Sequence, residues 1–285
     1  DRGLAFIKMV AAEVDRDLFY KLASDLSEER LQATIGLVTQ LSNVEKESRE
    51  WEYVLNRLIK GLSSSRNGAR LGYCLCLTEV VASALEKSVL AHADEYLRLL
   101  LSTLSRENIK NGKEERGILF GKLFGLQVLL NEPLFSQVFK AEDEINLEFM
   151  LTYVGTLIDV ALAKTWIRES SMFTLYQAIE KLSPVMGSQK PLKALLTLLD
   201  SRGLTQTSEG LAVYLYLFHK SFITTGALRK KGLLEDLKLN SPWKNNDPLS
   251  KGNLPAIANA LKEINSSEDL SVKQKGIWMP RLHFV

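Results

Sequence analysis

The chain is expected to be all-α, an α-solenoid of HEAT/armadillo-like helical repeats. Three observations predict it. Apolar residues recur at helical spacing along most of the 285 residues. Strict apolar/polar alternation over five or more residues is scarce, which leaves little material for sheet. Two similar helix openings, "RLGYCLCLTEVV" from Arg70 and "RGILFGKLFGLQVLL" from Arg116, lie 46 residues apart, within the range of two-helix HEAT or armadillo units. A compact all-α bundle is the alternative architecture.

The helices follow in order. Leu31, Ile35, Val38 and Leu41 form a first stripe, and Ser27 before Glu28 and Glu29 suits an N-cap followed by acids in the first turn. Val54, Leu55, Leu58, Ile59 and Leu62 form a second, which Gly61 can end. Leu151, Val154, Leu157, Ile158, Ala161 and Leu162 form a third. Further runs fall near 71–86, 96–104, 116–130, 171–182, 192–199, 208–218 and 254–264. Pro133, Pro191 and Pro255 suit first turns, where the missing N–H costs nothing. Pro184 and Gly187 close the run that ends in "IEKL". Residues 1–226 read as the repeat body. Residues 227–285 continue it through an irregular Pro/Asn/Lys-rich connection, with Asn246-Asp247-Pro248 as a turn. Both ends read as cut from a longer protein.

The formal net charge is +2, unevenly spread: −4 over residues 1–52, +4 over 53–122, −2 over 123–222 and +4 over 223–285. Two basic segments alternate with two acidic ones, which is compatible with a polyanion partner. No stretch approaches the ~20 uninterrupted apolar residues of a membrane span, so no membrane partner is expected. Cys74 and Cys76 are two residues apart. On a helix they diverge, so they neither bridge nor share a metal and read as buried apolar residues.

The basic segments concentrate the candidate binding residues. The polar break "GLSSSRNGAR" separates two apolar runs. With Ser65 as cap of the following helix, Arg66 and Arg70 share a face of its first turn, beside exposed N–H groups. Two guanidinium forks and a helix start together suit a phosphate. Arg57 and Lys60 on the preceding helix can join them. A second group, Lys110, Lys113, Arg116 and Lys122, occupies the corresponding place one unit later. In a regular array the two groups form a stripe, the electrostatic footprint of nucleic-acid binding. The plainer reading, that these side chains pair with acids or lie in solvent, ranks first. Glu114 and Glu115 interrupt the stripe, and no interleaved aromatics mark a base-stacking platform. Backbone and shape contacts are therefore expected, not sequence reading. Arg229, Lys230 and Lys231 read as a solvated loop.

Gly117, Gly121 and Gly125 share one helix face, where each is about 1 kcal/mol worse than alanine. A close helix neighbour is their expected use. Signs of catalysis are scarce. His92, His219 and His283 lack ligand spacing, and no phosphate-loop, dinucleotide, zinc-protease or nucleophile-elbow motif occurs. Glu142, Asp143 and Glu144 read as a solvated run, and the four tryptophans are scattered anchors. No catalytic, cofactor-binding or metal-binding residue is expected.

The wording of several blocks goes further. "DLFYKLASDLSEERLQA" (17–33), "YVLNRLIKGLSSSRNGARLGYCLCLTEV" (53–80), "ERGILFGKLFGLQVLLNEPLFS" (115–136), "NDPLSKGNLPAIANALK" (246–262) and "WMPRLHFV" (278–285) resemble the DNA polymerase V (polymerase phi) and Myb-binding protein 1A family, its fungal members most closely. The resemblance implies the N-terminal part of a large nuclear, nucleolar helical-repeat protein, non-enzymatic despite the family name. It implies a scaffold acting in ribosomal RNA transcription, rRNA processing and ribosome biogenesis. The implied partners are pre-ribosomal RNA and assembly factors of the pre-ribosome, and also ribosomal DNA chromatin or transcription factors. A co-regulator that binds protein partners in helical grooves is the second reading, and a DNA polymerase the third. A polymerase needs metal-binding aspartates on a sheet-based palm, and no acidic pair on alternating strands is present.

Overall fold

The computed structural model describes residues 13–107, 109–141, 144–183, 189–204, 208–225 and 250–266. Twelve helices carry these residues: α1 Asp17–Lys21, α2 Ser27–Ser42, α3 Arg49–Gly61, α4 Asn67–Glu86, α5 Ala93–Thr103, α6 Gly112–Val128, α7 Leu134–Phe139, α8 Leu147–Ala163, α9 Thr165–Leu182, α10 Gln189–Ser201, α11 Ser208–Thr225 and α12 Leu254–Ser266. The only sheet among the described residues is a two-residue antiparallel ladder, β1 Lys140–Ala141 with β2 Glu144–Ile145. Apart from that ladder, the described residues are all-α in class. The boundary expected at 226/227 and the turn at 246–248 lie outside the described residues.

The chain divides into two compact units, Asp1–Gln137 and Val138–Val285. In the first, α1 packs on α2, α3 on α4 and α5 on α6, while α4 lies between α2 and α6, and α3 touches α5. The register is parallel along the α2–α4–α6 layer. The Lys87 ammonium donates to the Ser42 carbonyl, and a Cβ on Gly72 would strike the Leu22 carbonyl. Cys74 and Phe124 meet near the start of α4, and Asn131 reaches Thr78 further on. Helix α5 runs against α6, because Leu100 sits on Gly125 and Leu104 on Gly121. In the second unit, α8 pairs with α9 and α10 with α11, and α8 touches α10 as α9 touches α11. Each unit therefore stacks helix pairs in two layers.

The core follows the apolar stripes. Val54, Leu55, Leu58, Ile59 and Leu62 are all buried, and so are Val154, Leu157, Ile158 and Ala161, whereas at the ends of the α8 stripe Leu151 is half-buried and Leu162 is 41% exposed. The first stripe differs. Helix α2 buries Ala33, Thr34, Leu37 and Leu41, and leaves Leu31 43% and Ile35 50% exposed. Two overlapping stripes were available on α2, and burial followed the one that holds Ala33, Thr34, Leu37 and Leu41. Its N-cap is Leu26, not Ser27, and no side chain caps it.

Helix α4 is long and apolar enough to cross a membrane by length and composition. It is the central core helix of its unit, with Cys76, Leu77, Val80 and Val81 fully buried. Cys74 and Cys76 are free thiols. The glycine stripe of α6 is a packing device. A Cβ on Gly117 would lie 2.6 Å from the Ser63 carbonyl oxygen, and one on Gly125 would lie 2.4 Å from Leu100.

Candidate nucleic-acid interface

The close approach at Gly117 builds the site. It presses the corner after α3 against the first turns of α6, and α4 leaves from the same corner. The result is an open groove of about 1110 Å³ lined by Ser63–Ser65, Asn67, Arg70, Leu71, Asn111, Lys113, Glu114, Arg116, Gly117, Phe120 and Phe124. Helices α4 and α6 both begin at its rim. Asn111 caps α6 by accepting from the Lys113 and Glu114 amides at 3.1 and 3.0 Å. Helix α4 has Arg66 at its N-cap and no acid in its first turn. Its own first turn supplies no carboxylate to the positive dipole end, which is met by Arg66 and by Asp25 from the preceding corner. Ser65 is not the cap; Ser64 Oγ instead accepts from the Arg66 amide at 3.3 Å.

Arg70 is the centre of the groove. Its Nη1 donates to the Ser64 carbonyl at 2.8 Å and its Nη2 to Asn67. Its Nε is buried and finds no acceptor among the described residues. The guanidinium lies 5.0 Å from the Phe120 ring centroid and 5.6 Å from that of Phe124. Arg116 approaches Phe120 from its own side at 5.4 Å. Burial, and secondarily the nearby Arg116 charge, pull the Arg70 pKa below its ordinary value. Two like charges are thus held together over an apolar floor.

The predicted residues separate into three sets. Arg70, Lys113 and Arg116 line the groove. Arg66 stands at its edge but forms an ion pair with Asp25 at 2.7 Å, both side chains more than half exposed. This is the plainer reading realised at one position, in a pair worth at most about 1 kcal/mol. Arg57, Lys60, Lys110 and Lys122 do not line the groove. Arg57 is half-buried on α3 near Tyr73, and Lys60 and Lys110 are exposed. Lys122 is half-buried on another face of α6, where burial and then the Arg106 charge lower its pKa. Glu114 does line the groove, and its carboxylate also accepts from the Lys110 amide at 3.0 Å. Glu115 is turned away onto Arg106.

Two features escaped the sequence reading. No aromatics were expected among the basic residues, yet Phe120 and Phe124 are both half-exposed in the groove. The corner also repeats. Arg30 Nη1 donates to the Ser24 carbonyl at 2.8 Å, as Arg70 Nη1 does to Ser64. The Leu26 amide donates to Ser24 Oγ at 3.2 Å, as that of Arg66 does to Ser64 Oγ. The signal Ser-x5-Arg occurs at 24–30 and again at 64–70, and only the shared hydrogen bonds give so short a pattern its meaning.

No group of three or more potential metal ligands occurs among the described residues. His92 is the N-cap of α5 without a side-chain cap bond; the side chains of His219 and His283 lie outside the described residues. Among the described residues, this groove brings cations, helix starts and aromatic rings together. Residues 53–285 match the DNA polymerase phi family, and the chain belongs to that family. It is 45% identical to the rDNA transcriptional regulator POL5 of Saccharomyces cerevisiae, with 97% of this chain and 28% of that protein aligned. It is 26% identical to the rDNA transcriptional regulator pol5 of Schizosaccharomyces pombe, over 97% of this chain and 26% of that protein. A Myb-binding protein 1A-like protein of Danio rerio is 34% identical over 40% of the chain and 8% of its own length. The chain thus spans just over a quarter of the two yeast relatives. No solved structure matches it.

Proposed function

We propose that the chain is part of a non-enzymatic nuclear and nucleolar scaffold that serves ribosomal DNA transcription and ribosome biogenesis, and that it grips pre-ribosomal RNA by its phosphates. The two yeast relatives are named as rDNA transcriptional regulators, which supports the setting. The observation that carries the binding role is the juxtaposition of Arg70, Lys113 and Arg116 with two helix starts in one groove. Glu114 offsets one of the three charges, and a positive balance remains.

The architecture of the scaffold is an α-solenoid of HEAT/armadillo type. Its support is the two-layer stacking of helix pairs within each unit and the pair spacing, since α4 starts at Asn67 and α6 at Gly112, 45 residues later. The repeated Ser–Arg corner of α2 and α4 agrees with it. Partner assembly factors would bind along the same helical surface.

The test is RNA binding by the chain across a salt series. Each phosphate contact to a single strand contributes roughly 0.7 to the slope of log affinity against log salt. Replacing Arg70, Lys113 and Arg116 by glutamate is expected to flatten that slope and weaken binding more than tenfold, while Arg57→Glu with Lys60→Glu changes it little. Equal binding by the groove variant removes the groove from the account.

One observation favours a second reading, a co-regulator that docks protein partners. Leu31 and Ile35 on α2 and Leu71 and Leu75 on α4 are all more than 40% exposed, and they occupy positions 40 residues apart on neighbouring parallel helices. Such aliphatic rows suit an amphipathic segment.

A further inference from the structure

We infer that the groove takes unpaired nucleobases as well as phosphates, so that it is a site for single-stranded nucleic acid and discriminates against duplex. The inference rests on the polyanion reading of the groove and says which polyanion fits.

The groove asks two things of a ligand. It must bring negative charge to Arg70, Lys113 and Arg116, whose positive charge exceeds that of Glu114 in the same groove. It must also cover an apolar floor, because Leu71, Phe120 and Phe124 line the same space and Leu71 is 55% exposed. Free phosphate answers the first need only. A duplex presents phosphates outside and keeps its base faces stacked within, so its docking would leave the phenyl rings wet. An unpaired strand carries anion and flat π-surface on the same polymer.

The arginines serve both halves. A guanidinium is planar, stacks on aromatic faces and still forks to phosphate. Arg70 lies over Phe120 and Phe124 and Arg116 over Phe120, so the groove presents a row of flat groups, alternately cationic and aromatic. Arg70 is anchored through Ser64 and Asn67, which holds its plane in place before any ligand arrives. The volume of about 1110 Å³ exceeds the roughly 300–1,000 Å³ of ordinary small-ligand sites, so more than one nucleotide fits.

Three fluorescein-labelled probes of equal length test this against the chain: a 12-nucleotide RNA without self-pairing, its duplex, and a strand of the same length with abasic sugars. The unpaired RNA is expected to bind at least about tenfold tighter than either other probe, the magnitude of one stacked base. Phe120→Leu keeps apolar volume and removes the π-face. It is expected to lower affinity for the unpaired strand severalfold and affinity for the abasic strand by a clearly smaller factor, so that the preference for bases shrinks. Phe124→Leu should behave alike. Equal affinity for the unpaired, duplex and abasic probes, all lost with Arg70→Glu, overturns base recognition and leaves the phosphate reading intact. Binding of none of the three, with an acidic peptide bound in their place, overturns both.

Discussion

The guanidinium carbon of Arg70 stands 5.0 Å from the ring centroid of Phe120, and that of Arg116 stands 5.4 Å from the same centroid. Neither the charge pair nor the exposed ring is what packing alone selects. Burial and Arg116 both disfavour the charge on Arg70. Its hydrogen bonds to Ser64 and Asn67 offset part of that cost, at about 1 kcal/mol each. Arg70→Met is therefore expected to change stability by less than about 1 kcal/mol, yet to weaken RNA binding strongly. Thermal melts beside filter binding separate the two. A large loss of stability with binding intact would make Arg70 a structural residue.

Gly117 and Gly155 make opposite predictions for one chemical change. Both lie inside helices, where alanine is better than glycine by about 1 kcal/mol. A methyl on Gly155 meets nothing within 4 Å, whereas one on Gly117 meets the Ser63 carbonyl oxygen at 2.6 Å. Backbone cannot swing aside as a side chain does, so overpacking of about 1–3 kcal/mol is expected there. Gly155→Ala should raise the melting temperature. Gly117→Ala should lower it, and should also weaken RNA binding by shifting the corner that shapes the groove.

Much of this was legible in the sequence, and the exceptions are instructive. The stripe of α3, the middle of the α8 stripe from Val154 to Ala161 and the glycine face of α6 could be read directly, because one apolar face dominated there; the ends of the α8 stripe, Leu151 and Leu162, are not in the core. On α2 the large residues Leu31 and Ile35 competed with a face built from Ala33, Thr34 and Leu37, and periodicity cannot rank two overlapping stripes. Phe120 and Phe124 sat within an apolar run broken by Lys122, where nothing local distinguishes a groove floor from a core. The grouping of Arg70 with Lys113 and Arg116, and the separation of Lys122 from them, depended on which face of α6 turns toward the corner. That is a property of packing, fixed by Gly117 against Ser63.

Glu50 of α3 holds the residues just before α1. It accepts from Arg16 Nη1 at 2.9 Å and Nη2 at 2.6 Å, and from the Val14 amide at 3.1 Å, while Arg16 also covers the Tyr53 ring at 3.8 Å. Burial pushes the Glu50 carboxyl up, but the Arg16 and Val14 hydrogen bonds with the Arg16 charge outweigh it and hold the pKa below the usual value. A depressed carboxyl pKa gives stability that is present above its unfolded value and lost as pH falls through the folded one. Glu50→Gln should therefore lose stability at pH 7, by about 1–3 kcal/mol, and differ less from the parent as pH falls below about 4. Denaturant melts across pH 7 to 3 check this; a constant difference would contradict it.

Burial raises the thiol pKa values to about 11 at Cys74 and about 12 at Cys76. The thiolate is the reactive form, so both should resist alkylation at pH 8 in the native chain and react fully once it is unfolded. Mass spectrometry after a timed iodoacetamide pulse reads the difference. Rapid native labelling of Cys76 would contradict its place in the core of α4.

The account stands on the corner after α3 being an RNA-binding groove. Ultraviolet crosslinking of the intact protein to RNA in cells, with the crosslinked peptides sequenced, tests this most directly. Attachment is expected within residues 63–71 and 111–124. Crosslinks confined to other segments, or none to this chain, would contradict it.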